Sequence, residues 1–385
     1  MIATALSPDT RVCICAGAGG VGKTTIAATL ALGTALRGRK VAVITIDPAR
    51  RLAESLGLEQ LGNRPVRVSI EALHDGGDSP AGQTRGELWA MMLDVRRTLD
   101  ELVELLLPDE DARRRLLGNR VYQQLSDAVA GTQEFAAVAK LYELARSGDY
   151  DLLVLDTPPS RSALDFLEAP DRLTRFLESR ALSALAQSAG LGARVLGGGS
   201  AVMLRMLTRV TGIELLEDAA AFLAVLGEVK GGFRERARNV RRLLRDPATA
   251  FVLVTVAEPG PVNETIFLAR RLRSAHMRLG GVVINRVHHD EIADFDVAEL
   301  AGSLRAALGV PLAQRVAENL RDYHDQVEQG RAGERRLTRV LGLRRVIQIP
   351  QLDHSVHDTA GLAHLARFLF ADEDERERLL AELVC

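Results

Sequence analysis

The sequence predicts an α/β fold built on a parallel sheet with helices on both faces. Two observations carry that expectation: short β-branched runs recur along the chain, and helical sequence flanks each of them. The runs are nearly continuous in apolar residues instead of alternating, as strands buried on both faces are.

Taken in order, Val12 to Cys15 leads into a glycine-rich loop, and Val41 to Ile46 ends in Asp47-Pro48. Val66 to Ile70 follows, and Leu152 to Leu155 ends in Asp156-Thr157-Pro158-Pro159. Val252 to Val256 comes next, Val282 to Ile284 precedes Asn285, and Val346 to Ile349 precedes Pro350. Two stretches, about 86–147 and 171–245, read as helix with no strand between. In the first, Leu88, Met92, Val95, Leu99, Leu102 and Leu106 draw one apolar stripe and predict a single amphipathic helix. The second carries Gly190, Gly192, Gly197, Gly198 and Gly199 among Leu, Val, Met and Ala, an apolar segment that glycine weakens as helix. The whole chain, 1–385, is expected to be one domain with two helical insertions.

Composition narrows the function. The 385 residues hold 49 basic and 51 acidic side chains, a net charge of −2, so no long-range field draws in a polyanion and no nucleic-acid partner is expected. Three cysteines, Cys13, Cys15 and Cys385, form neither a disulfide framework nor a four-ligand zinc site, which favours a reducing compartment. Without a basic leader or an apolar stretch of about 18 residues, the chain reads as cytoplasmic, with no integral membrane segment. Only Lys23, Lys40, Lys140 and Lys230 are lysines, which makes each of them noticeable.

Lys23 lies in Gly17-Ala18-Gly19-Gly20-Val21-Gly22-Lys23-Thr24, a GxxxxGK[ST] phosphate loop set between a predicted strand and a predicted helix. Glycine lets the backbone N–H groups of Gly19, Gly20, Val21 and Gly22 turn inward around phosphates. Lys23 is placed to neutralise the β- and γ-phosphates of ATP, Thr24 to ligate Mg²⁺, and Thr25 to reach the α-phosphate. Asp156, an acid at the carboxyl end of a strand, is the candidate that holds Mg²⁺ through water. Asp47 is the candidate that orients the attacking water.

Together, Gly17 to Thr25, Thr45-Ile46-Asp47-Pro48-Ala49 and Asp156-Thr157-Pro158-Pro159 resemble the arsenical pump-driving ATPase family. That family includes the guided-entry ATPases that deliver tail-anchored membrane proteins, and it is related to the cell-division and partition ATPases. The resemblance implies a doubly wound, mostly parallel sheet of the deviant Walker A, dimeric P-loop type with a helical subdomain. It implies ATP hydrolysis with Mg²⁺, Asp47 as the catalytic carboxylate beside Lys23, and Asp156 at the start of switch II. It also places Asn285 and the loop after Pro350 at the adenine, and brings Arg286 and Pro350 among the nucleotide-binding residues.

Departures from the family pattern matter as much. Most members carry a second lysine at the position of Ala18, which reaches across the dimer to the other subunit's phosphates. Its absence favours a heterodimer with a homologous, lysine-bearing subunit over a homodimer. Alternatively Arg50 or Arg51 serves as a cis arginine finger. The zinc-binding CxxC and the cysteine triad for arsenite are both missing; Cys13 and Cys15, two apart on one strand, read as small buried hydrophobes. His288-His289-Asp290 and Asp353-His354 with His357 read as solvated loop histidines. The leading expectation is a dimeric switch ATPase whose helical insertion, with a groove over 181–226, binds a partner or an apolar protein client. A regulatory subunit that binds nucleotide with little hydrolysis is the alternative, and a small-molecule kinase a third.

Overall fold

A computed structural model describes residues 6–47, 49–74, 86–120, 122–123, 132–157, 213–288, 296–343, 346–352, 356, 358–372, 374–376 and 378–379. The strands are β1 (Val12–Ala16), β2 (Lys40–Thr45), β3 (Val66–Val68), β4 (Glu87–Met92), β5 (Leu152–Asp156), β6 (Thr249–Thr255), β7 (Arg278–Val287) and β8 (Ile347–Pro350). They form one sheet in the order β3-β4-β2-β5-β1-β6-β7-β8, in which β3 and β4 pair antiparallel and every other pair is parallel.

Helices cover both faces. On one lie α1 (Lys23–Ala35), α2 (Arg51–Ser55) and α11 (Thr359–Phe370). Against them pack Cys13, Cys15, Val41, Val43, Val154 and Val252 from the central strands. The other face carries α4 (Val95–Leu106), α6 (Thr132–Ser147), α7 (Ile213–Leu244), α8 (Pro259–Ser274) and α10 (Val310–Leu341) over Val12, Ile14, Ala42, Ile44, Leu153 and Leu155. The two sets interleave along each strand because successive side chains of a strand point to opposite faces. Short α3 (Glu71–His74), α5 (Glu110–Leu117) and α9 (Val297–Leu308) complete the described helices. The doubly wound α/β architecture is thus the one expected, and fully buried Cys13 and Cys15 face α1 among apolar neighbours.

One expectation is overturned. Leu88 and Met92 do not begin the α4 helix; they lie on β4, parallel to β2, with Leu88 opposite Val41 and Met92 opposite Thr45. The stripe misled because a spacing of four is even: it puts two residues on one face of a strand as readily as on one face of a helix. Burial resolves it. Leu88 and Ala90 join the layer against α1, whereas Met91 and Leu93 join the opposite layer, a period of two. The helix starts only after Asp94, whose carboxylate caps it by accepting from the Arg97 N–H at 3.0 Å.

The helical insertions meet in a small core of their own. Val103 and Leu107 at the end of α4, Ala112 and Leu116 of α5, and Tyr122 pack with Phe222 and Val225 of α7. On the sheet side of α4, Lys140 of α6 bonds Glu101 at 3.1 Å and Glu143 at 3.0 Å. Glu101 also accepts from Asn63 Nδ2 at 3.1 Å, and Asn63 Oδ1 takes the Asp94 N–H at 3.1 Å. The loop before β3 is thereby tied to both helices. Residues 171–212, and with them most of the expected 181–226 groove, lie outside the described residues, as do Pro48, Pro158, Pro159, His289, Asp290, Asp353, His354, His357 and Cys385.

Candidate functional site

The strand order brings β2, β5 and β1 side by side, so their carboxyl ends meet at one edge. Asp156 pairs in register with Cys15 on one side and Thr45 on the other. Between β1 and α1 the chain turns through the phosphate loop. A Cβ at Gly17 would collide with the Val254 carbonyl oxygen of β6, and one at Gly22 with the Asn285 amide. Gly22 also sits at φ +89°, in the left-handed region where glycine is at ease.

Three side chains converge beneath that loop. Thr24 Oγ1 donates to Asp156 Oδ2 at 2.7 Å, and Thr45 Oγ1 donates to the same oxygen at 3.0 Å. Asp156 Oδ1 is buried with no hydrogen-bond partner among the described residues. Burial lifts the Asp156 carboxyl to about 6, against the pull of the two hydroxyls and of Lys23. Lys23, itself buried, donates from Nζ to the Ala18 carbonyl at 2.7 Å, and its desolvation lowers its pKa. Thr157 follows Asp156 and is pinned to β1, its Oγ1 donating to the Cys15 carbonyl at 2.8 Å.

Above them opens a cleft of about 400 Å³, lined by Gly20, Gly22, Lys23, Thr24 and Thr25 together with Asp47, Arg51, Thr157 and Arg286. Asp47 reaches it from the end of β2; its Oδ1 accepts the Ala49 N–H at 3.0 Å. Of the two arginines past Asp47, Arg51 lines this cleft, whereas Arg50, at φ +21°, lines a smaller cavity of about 130 Å³ shared with Asp47 and Met92. Asn285 lies behind the loop, buried, its Nδ2 donating to the Val21 carbonyl at 2.9 Å. Pro350 ends β8 opposite Val287, and Gln351 after it lines a second cleft of about 330 Å³ with Gly19, Gly20, Val21, Arg286 and His288.

Sequence reasoning brought Lys23, Thr24, Asp47 and Asp156 together; the structure lines one cleft with the first three and buries Asp156 beneath it, bonded to Thr24. It missed the Thr45 hydroxyl on Asp156, signalled only by a polar residue at the end of an apolar strand, and the second cleft, which depends on α10. The donor set suits a hard cation: the Thr24 hydroxyl and the Asp156 carboxylate, one of whose oxygens is still unpaired, are oxygen ligands of the kind Mg²⁺ takes. Gly17 and Gly22 let the loop pack against β6 and Asn285 with no side chain between, which holds its backbone in a turn of the kind that binds phosphate.

The sequence pattern of the anion-transporting ATPases matches residues 10–324. The chain belongs to the anion-transporting ATPase family. Among its curated relatives, the ATPase GET3 of Mycosarcoma maydis is 29% identical over 276 residues, 70% of each chain. The ATPase GET3 of Malassezia globosa is 27% identical over 277 residues, 71% of each. The ATPase ARSA1 of Chlamydomonas reinhardtii is 27% identical over 300 residues, 70% of this chain and 34% of that one. The resemblance read from the three motifs is borne out. No described helix of this anion-transporting ATPase family member is long and apolar enough to cross a membrane.

Proposed function

We propose that the chain is a Mg²⁺-dependent ATPase, converting ATP and water to ADP and phosphate, and that it acts as a dimeric switch in the cytoplasm. The observation that carries this reading is the Thr24–Asp156–Thr45 cluster at the foot of a cleft that Lys23 and Asp47 also line.

The residues divide the work. Backbone N–H groups from Gly19 to Thr25 and the N-terminus of α1 bind the phosphates. Lys23 exchanges the Ala18 carbonyl for phosphate oxygens. Thr24 directly and Asp156 through water would hold Mg²⁺, which when bound would neutralise charge developing on the transferred phosphoryl group. Asp47, its carboxylate fixed by the Ala49 N–H, accepts a hydrogen bond from the attacking water. Asn285 keeps the loop in shape from behind, and the residues after Pro350 close the adenine side. The nucleotide state reaches the helical insertions through loops that start at Asp47 and Asp156 and governs binding of a partner or an apolar client, such as a tail-anchored protein.

Phosphate release by the purified chain with Mg²⁺ and ATP tests this. Turnover should fall by about 10²-fold or more in Asp47→Asn and in Lys23→Ala, and chelation of Mg²⁺ should abolish it. A chain that binds no nucleotide overturns the reading.

Ala18 favours a second reading. It is buried and offers no cation toward a neighbour, which suits a nucleotide-binding regulatory subunit paired with a lysine-bearing homologue. Adding such a homologue would then raise turnover sharply above that of either chain alone, and a chain at full rate by itself excludes this reading.

A further inference from the structure

Two clefts flank the phosphate loop, and among the described residues the two that line both are Gly20 and Arg286. The first holds Lys23, Thr24 and Asp47; the second is floored by Gly19, Gly20 and Val21, directly after Ala18. Arg286 forms the ridge between them.

Its backbone is unusual. Arg286 sits at φ +57°, one of three non-glycine residues at positive φ in the described chain, a conformation that costs an L-residue about 1–2 kcal/mol. Its neighbour explains the geometry: Asn285 is held inward by its bond to the Val21 carbonyl, and the β7–β8 register shifts between Ile284 and Val287. The left-handed turn at 286 brings the next side chain to the loop's rim, where it is exposed and has no hydrogen-bond or ion-pair partner among the described residues. Strained residues of this kind cluster at functional sites. Arg51 also lines the phosphate cleft, but not the second one.

Resting on the nucleotide-binding reading above, we propose that Arg286 is a cation supplied in cis to the outer phosphates of the bound nucleoside triphosphate, beside a loop whose Ala18 has no charge to offer. A guanidinium meets phosphate oxygens through two parallel N–H bonds, so its contribution grows with phosphate charge and is larger for a triphosphate than for a diphosphate. The base and ribose gain nothing from it.

The test is binding of ATP, ADP and AMP to the wild-type chain and to Arg286→Gly, Arg286→Lys and Arg51→Ala, by calorimetry with Mg²⁺. Glycine suits φ +57° and so removes the side chain without disturbing the turn, which a thermal melt checks. In Arg286→Gly, ATP binding is expected to weaken by about 10-fold or more, ADP binding by less than about 3-fold and AMP binding not at all, with Arg286→Lys in between. Equal weakening of all three nucleotides would assign Arg286 to the base or ribose and overturn the proposal, as would an unchanged ATP affinity or the ATP-selective loss appearing in Arg51→Ala alone. If the wild-type chain binds none of the three, the underlying nucleotide reading fails instead, and the two failures remain distinct.

Discussion

Thr24 Oγ1 and Asp156 Oδ2 lie 2.7 Å apart although 132 residues separate them in sequence, and the second oxygen of that carboxylate is buried without a partner. A helix start and a strand end thus share one acid in a dry setting. Without a bound cation, the ionised form of that acid is costly.

The cost has a sign that pH can read. The folded-state value of about 6 stands above the ordinary carboxylate value of 3.8, so between those two values the folded chain binds the extra proton. The contribution to stability is fully present below pH 4 and is lost as pH rises through 6, a difference on the order of 3 kcal/mol. Asp156→Asn removes the titration. Urea unfolding of the metal-free chain should show the Asn variant gaining on wild type at pH 8 and much less at pH 4.5. A gap that does not change with pH would contradict the burial argument.

Asn285 and Gly22 form a second coupled pair. Asn285→Ala leaves the buried Val21 carbonyl unpaired and should cost about 1–3 kcal/mol in stability. Gly22→Ala adds a Cβ against the same amide at φ +89° and should abolish nucleotide binding. In the double variant the collision is relieved but not the backbone strain, so nucleotide binding measured by calorimetry should recover only in part.

Lys140 joins α6 to α4 through Glu101, which in turn holds Asn63. Lys140→Met keeps the apolar stem and deletes the ammonium. Denaturant melts should show a loss of about 1–3 kcal/mol, and Asn63→Ala combined with Lys140→Met should cost less than the sum because the two act in one network.

Position 88 tests the packing of β4 against α1. Leu88→Ala empties a fully buried site between β4 and α1 and should cost about 2–5 kcal/mol. Leu105→Ala, on α4 and 63% exposed, should stay within about 0.5 kcal/mol of wild type in the same urea titration.

Much of this was legible from the sequence because its chemistry is local. The phosphate loop carries its glycines, lysine and threonine in one run, and Asp47 and Asp156 each end an apolar strand at the edge where an α/β sheet binds ligands. What escaped was set by pairing across the chain. Leu88 and Met92 fit two periods at once, and only the neighbouring β2 decides between them. The bond of Asn285 to Val21, which adds to the adenine role expected by resemblance, follows from the packing of β7 against a loop 264 residues earlier. Nothing in the residue type of Arg286 announced a left-handed backbone.

The small core shared by the insertions bears on how the molecule assembles. Val103, Leu107, Ala112 and Leu116 cannot be covered until Phe222 and Val225 arrive from the far side of β5. Neither insertion covers its own apolar face, because the two halves of this core come from opposite sides of β5 in the chain. Excising either insertion therefore strips the other of its apolar cover.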